Sequence, residues 1–219
     1  MMSRIKSFVA GKIAKRSPIS MWRRRAKTYG QRAVLNLGHT DDEIEAVTQM
    51  QVDCIFPHLK ESLLGTERTI LDLGCGTGRF TAKLAELIQG KAVGVDPVQQ
   101  FLDIAPKTDE VEYRLMKGTK IPCADHSVDI VWICLVLGGI IENVELKKLI
   151  ADVNRILKNG GLLCVVENTS KKKDGQYWKF RSVVEYKDLF QYATLRHCID
   201  YIDLGEDISV MVGRKDRHS

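Results

Sequence analysis

From residue 69 onward, short apolar runs alternate with stretches whose apolar positions recur every three or four residues. Thr69-Ile70-Leu71-Asp72-Leu73 is a run of the first kind and predicts a buried strand. Phe80, Leu84, Leu87 and Ile88 follow at helical spacing. Lys91 to Asp96 predicts a second strand, Val98 to Ala105 a helix, Val111 to Leu115 a third strand and Asp129 to Leu135 a fourth. Leu146, Leu149, Ile150, Val153 and Ile156 form the apolar face of a helix over 144–157, with Asn159-Gly160-Gly161 as its left-handed cap. Leu162 to Asn168 reads as a fifth strand. Ser182 and Glu185 then make a capping box that opens another helix. Alternation returns over 196–203 and 208–212, a hairpin joined across 204–207, and Arg214 to Ser219 reads as a charged terminus.

Upstream, Thr40 and Glu43 form a capping box. The helix it opens carries Ile44, Val47, Met50, Val52 and Ile55, runs to about Phe56 and is ended by Pro57. Charge divides the chain at the same place. The net +5 is made of +10 on residues 1–40, which hold no acid, and −5 on the remainder. This predicts a basic extension or lid over 1–40 and a globular domain over 41–219. Within the extension Ile5, Phe8, Val9 and Ile13 lie near one helical face among lysines, a short basic amphipathic helix. Residues 1–27 would suit the surface of an anionic membrane. A nucleic-acid phosphate backbone would attract them too, but no recognisable RNA-binding module accompanies them. A solubilising tail is the third reading.

With 44% apolar and 28% charged residues, a soluble protein with a substantial core is expected. No run of 18 apolar residues marks a membrane span, and Lys6, Lys12 and Lys15 interrupt the early apolar runs, so a secretory signal is not expected. The six cysteines show no C-x-x-C pair and no zinc-finger spacing. They predict reduced thiols, no resident metal and a cytoplasmic location, peripheral at the inner membrane surface if the extension docks there.

The chemistry is concentrated between the first strand and its helix. Gly74, Gly76 and Gly78 alternate with Cys75 and Thr77, where the chain must turn sharply and let a ligand lie against bare backbone. Asp72 precedes the first glycine by two, a carboxylate that suits a cationic ligand better than a diphosphate. Asp96, followed by Pro97, ends the second strand 18 residues after Gly78, where an acid holds a ribose hydroxyl pair.

Together these residues resemble the class I S-adenosylmethionine-dependent methyltransferases, in the broad subfamily acting on many small acceptors, over about Thr69 to Lys215. The resemblance implies a Rossmann-like, doubly wound α/β sheet of seven mostly parallel strands, helices on both faces, the last strand antiparallel, and an N-terminal helical extension. It implies S-adenosylmethionine as donor and S-adenosylhomocysteine as product. The residues it places around the donor are Asp72, Gly74, Cys75, Gly76, Thr77, Gly78, Asp96, Pro97, Met116, Lys117, Cys134 and Leu135, with Tyr29, Arg32 and His39 from the lid. Where the family has Gly-Asp-Ala after the third strand, this chain has Met116-Lys117-Gly118. A lysine cannot accept a hydrogen bond, so the adenine contact must come from backbone or another residue.

No Asn/Asp-Pro-Pro-Tyr follows the fourth strand. Many relatives carry a histidine there, where this chain has Leu137-Gly138-Gly139-Ile140. The remaining candidate bases are His39, Glu142 and Glu167. Gly138, Gly139, Trp178 and Arg181 are the candidate acceptor-binding residues, beside a polar loop holding Lys171-Lys172-Lys173. The expected activity is methyl transfer to an oxygen or nitrogen of a small-molecule or glycan-like acceptor. A membrane-embedded or lipid-linked acceptor, and a donor-binding protein without turnover, are the alternatives.

Overall fold

The computed structural model describes residues 17–217, so the basic amphipathic helix expected over residues 5–13 lies outside the described residues. Ser17 caps α1 (Pro18–Tyr29), with Pro18 at the first helical position, and a 3₁₀ turn (Gly30–Val34) follows. A second 3₁₀ turn (Asp41–Glu43) leads into α2 (Ile44–Glu61). The core then alternates as β1 (Thr69–Leu73), α3 (Thr81–Leu87), β2 (Lys91–Asp96), α4 (Gln99–Ile104), β3 (Val111–Leu115) and β4 (Val128–Cys134). After a 3₁₀ turn (Leu137–Gly139) come α5 (Asn143–Ile156), β5 (Leu157–Asn168), α6 (Val183–Leu189), β6 (Ala193–Asp203) and β7 (Glu206–Lys215).

The seven strands form one sheet in the order β3-β2-β1-β4-β5-β7-β6, parallel except for β7. Strand order reverses between β1 and β4, which opens a crevice at their carboxyl ends. Both faces are covered, and the period of two assigns each residue to one of them. Leu71, Val131, Ile133 and Val165 pack under α5 and α6, whereas Ile70, Ile130, Trp132 and Val166 pack under α2 and α3. Trp132 is fully buried, with Phe56 edge-on at 5.7 Å and Phe80 at 5.4 Å. Register between β1 and β4 is pinned by Asp129, whose carboxylate accepts from the Thr69 N–H at 2.9 Å and hydroxyl at 2.7 Å. Among the described residues no helix is long and apolar enough to cross a membrane.

Four boundaries differ from expectation. Glu43 accepts from the Thr40 N–H at 2.7 Å as the capping box predicts, but the helix runs through Pro57 to Glu61. Pro57 sits on the exposed side, and burial of Leu59 one turn beyond Ile55 carries the helix past it. Helix α5 ends at Ile156 rather than at the glycines; Gly160, at φ +74°, lies in a bulge of β5 opposite Val128 to Ile130. The hairpin turn is only Leu204-Gly205, both left-handed, and its strands are longer than the alternation suggests. Arg214 and Lys215 belong to β7 rather than to a loose terminus. The Lys215 ammonium donates to the Asn154 and Leu157 carbonyls at 2.8 and 3.2 Å, which anchors the α5–β5 junction.

Candidate functional site

Two cavities meet at the crevice. The first, of about 300 Å³, lies over the glycine loop. Gly74 and Gly76 have φ of +69° and +54°, a conformation that a side chain resists. A Cβ on Gly74 would come within 2.6 Å of Val136, and one on Gly76 within 2.6 Å of Val34. The loop is tied to β2, since the Gly74 and Cys75 amides donate to the Val95 carbonyl at 2.8 and 3.0 Å. Asp96 takes the Gly76 amide at 3.0 Å on one oxygen and the Val98 amide at 2.8 Å on the other. Burial pushes Asp96 up to about 6, with those two amides pulling it back. Asp72, bonded to the Thr81 hydroxyl at 2.6 Å, is pushed up to about 7 by burial, with the Asp96 charge adding to the shift. Among the described residues neither buried carboxylate has a salt-bridge partner, which favours a ligand that brings positive charge.

A bare-backbone cradle, an acid at the end of β2 and a second acid beneath the loop fit S-adenosylmethionine. Pro97, Met116, Cys134 and Leu135 also line this cavity, as the resemblance implies. Thr77 is buried outside it, and Gly78 serves packing, because a Cβ there would meet the Tyr113 hydroxyl. Lys117 is exposed and does not line the cavity, whereas Thr119, two residues on, does.

The second cavity, of about 610 Å³, is walled by α1, the loop after β5 and the β6–β7 turn. Trp22, Tyr29, Tyr177, Trp178 and Phe180 line it together with Asn36, Asn168, Asp203 and Glu206. Trp22, Val34 and Leu135 line both cavities, and Leu135, just past β4, sits at φ +57°. A non-glycine residue held in that region stores backbone strain where the two spaces join.

The sequence-derived candidates distribute unevenly over these spaces. Trp178 packs on Gly138 and Gly139, and Gly139 itself lines the donor cavity. Tyr29 lines the second cavity, while Arg32 braces the lid through Asp41 at 3.1 Å and the His39 carbonyl at 2.9 Å. Arg181 is buried and donates to the Leu137 and Ile140 carbonyls at 3.0 and 3.1 Å, a brace rather than an acceptor grip. Glu167 is fully buried and accepts from the amides of Val136 at 2.8 Å, Leu137 at 2.6 Å and Gly138 at 3.3 Å. Burial pushes it up to about 7, with those amides pulling back, but its oxygens are spent fixing the turn after β4. Glu142 is exposed at the donor mouth. His39 is buried and bonded through Nε2 to Asp203 Oδ1 at 2.6 Å.

Sequence reasoning missed Thr119, Arg79 and Asp203. Arg79 lines the donor cavity and donates to Thr48 and Gln51 at 2.8 and 3.1 Å. The one available signal for Asp203 was an acid directly before the Leu204-Gly205 turn.

Comparison with known proteins agrees with this geometry. Residues 70–161 match the family model described as "Methyltransferase domain". An uncharacterized methyltransferase of Mycobacterium tuberculosis is 36% identical over 111 residues, 49% of this chain and 43% of that one. The ubiquinone/menaquinone biosynthesis C-methyltransferase UbiE of Campylobacter jejuni is 32% identical over 117 residues, 48% of this chain and 47% of that one. The chain thus spans less than half the length of these relatives. Among solved structures, a SAM-dependent methyltransferase from Aquifex aeolicus superposes with a TM-score of 0.59 at 18% identity, covering 78% of this chain and 98% of that one. Residues 70–161 thus match a methyltransferase domain, and the strand order, the glycine cradle and the acid at the end of β2 give the chain the fold of the class I S-adenosylmethionine-dependent methyltransferases.

Proposed function

We propose that this protein transfers the methyl group of S-adenosylmethionine to an oxygen or nitrogen of a small, ring-bearing acceptor such as a glycan. The observation that carries the reading is the 610 Å³ cavity that shares a wall with the donor cavity. Its aromatic faces suit the flat faces of a ring, and Asn36 supplies a neutral hydrogen-bonding group for hydroxyls. When bound, the donor supplies an already electrophilic methyl, so what remains for the chain is alignment. Alignment alone is worth about 7–11 kcal/mol in well-oriented systems. Glu167 serves it by fixing three successive amides after β4, and Leu135 by its held conformation.

The test is transfer of labelled methyl from S-adenosylmethionine into a lysate split into aqueous small-molecule, lipid and nucleic-acid fractions. Label in the aqueous fraction is the expected result, and label confined to another fraction overturns the acceptor class. A second reading has an acceptor presented at a membrane. Helix α1 forms one wall of the acceptor cavity and exposes Arg23, Arg24 and Lys27, continuing the basic charge of the first 40 residues. Removing residues 1–16 would abolish sedimentation with anionic liposomes under this reading and leave activity on a soluble acceptor intact under the first.

A further inference from the structure

The acceptor cavity presents two carboxylates, and they differ in what they have left to offer. Glu206 is committed to three donors: Asn168 Nδ2 at 3.1 Å, the Ser170 hydroxyl at 2.9 Å and Lys172 Nζ at 2.6 Å. Among the described residues the Asp203 carboxylate has one hydrogen-bond partner, His39 Nε2, on Oδ1. Among the described residues its Oδ2 accepts no hydrogen bond, and it is not among the sealed polar atoms, although the residue as a whole is only 6% exposed. A buried carboxylate with one oxygen clamped and the other open to the cavity is a preoriented acceptor for a proton. His39 is held in turn: its carbonyl takes Arg32 Nη1 at 2.9 Å, its own N–H donates to Asn36, and its Nδ1 faces Glu43 at 3.6 Å. From the donor side Arg79 lies within electrostatic reach of both Asp203 and Asp72.

We infer that Asp203 is the proton-accepting group of the acceptor cavity, for a nucleophile that is a hydroxyl or an amine N–H, with His39 as its positioning residue. The inference rests on the methyl-transfer reading above and adds the atom that takes the proton. The step balances without a further reactant. The acceptor's lone pair forms the new bond to the methyl carbon, the carbon–sulfur bonding pair stays on sulfur, and the acceptor's proton moves to Asp203 Oδ2. A carbon nucleophile lacking such a proton would not need the pair. Asp203 reaches the cavity from the far edge of the sheet, as the last residue of β6.

The experiment uses the full chain, methyl-labelled S-adenosylmethionine and a protein-free aqueous cell extract as acceptor source, with S-adenosylhomocysteine titrated calorimetrically in parallel. Asp203→Ala is expected to lower label transfer about 10²–10⁴-fold, with S-adenosylhomocysteine affinity within about two-fold of wild type. Added formate, a carboxylate small enough to enter the space left, is expected to restore about tenfold of the loss. His39→Gln is expected to lower transfer about tenfold, and Asp203→Glu to retain part of the activity. If Asp203→Ala melts below the assay temperature, Asp203→Asn replaces it with the same expected loss, since it keeps the shape and cannot take the proton. Wild-type transfer by either variant overturns the assignment while leaving the methyltransferase reading intact. Loss that neither formate nor glutamate rescues makes Asp203 a clamp between lid and hairpin, and also overturns it. A wild-type chain that binds S-adenosylhomocysteine and labels nothing in the extract overturns the acceptor reading, and this inference with it.

Discussion

The proposed donor half and the proposed acceptor half of this crevice are built from different materials. Around the donor, consecutive segments at the carboxyl ends of β1, β2 and β4 contribute mainly backbone: two left-handed glycines, amides clamped by Val95 and Asp96, and a turn held by Glu167. Around the acceptor, isolated side chains arrive from α1, the loop after β5 and the hairpin tip; His39 and Asp203 meet across 164 residues of sequence. Backbone geometry is fixed by strand order and turn conformation, so it tolerates little change in kind. Side-chain walls can be re-specified one residue at a time, which is how one fold serves many acceptors.

The sharpest way to break this comparison is at Asp96. Asp96→Ala removes the clamp on the Gly76 and Val98 amides together with the acid of the donor cavity, and S-adenosylhomocysteine affinity should fall at least 100-fold, about 2.7 kcal/mol. Native affinity by calorimetry would remove Asp96 from the donor site. Gly138→Ala probes the other half, because its Cβ would intrude on the Trp178 ring. Methyl transfer should drop about 10–100-fold through a displaced acceptor wall, with S-adenosylhomocysteine affinity within about two-fold. Equal loss of both would mean that the halves are not separable.

A third test uses pH. Asp72, Asp96 and Glu167 have folded values raised to about 7, 6 and 7 by burial, above their unfolded values. The folded chain therefore holds more protons than the unfolded one between about pH 4 and 7, and its stability falls as pH rises through that window. Asp129 and Asp152, lowered to about 2, add stability that is complete by about pH 5 and leave the slope unchanged above it. The melting temperature of the ligand-free protein should fall by about 5 °C or more from pH 5 to pH 8. Asp72→Asn should flatten that fall; an unchanged slope would show that Asp72 is not a source of it. The smallest effect separates two neighbours. Thr119→Val should weaken S-adenosylhomocysteine about 3–10-fold and Lys117→Ala less than two-fold. The reverse order would return the adenine contact to Lys117.

Legibility in the sequence follows the same division. The core strands and helices, the glycine turn and the acid ending β2 are readable because each rests on a local period or on a turn that demands glycine; strand order follows only from the family resemblance. Gly78 is legible only in part. Its left-handed backbone is local and readable, but the group it makes room for, the Tyr113 hydroxyl, belongs to β3. Pro57 looked like a stop because its defect is local, while the burial of Leu59 that overrides it is tertiary. Arg214 and Lys215 looked like a solvated end because their partners, Ser62, Glu67, Asn154 and Leu157, are remote in sequence. Asp203 was invisible for the same cause, since nothing near it in the chain announces His39.

Trp22, Val34 and Leu135 belong to both cavities, and this has a thermodynamic consequence. A ligand in either space that immobilises those side chains has met an ordering cost that the second ligand no longer faces. Binding in one chamber and binding in the other are then linked, and the linkage is reciprocal. Whatever factor S-adenosylhomocysteine applies to the acceptor's dissociation constant, the acceptor must apply to that of S-adenosylhomocysteine.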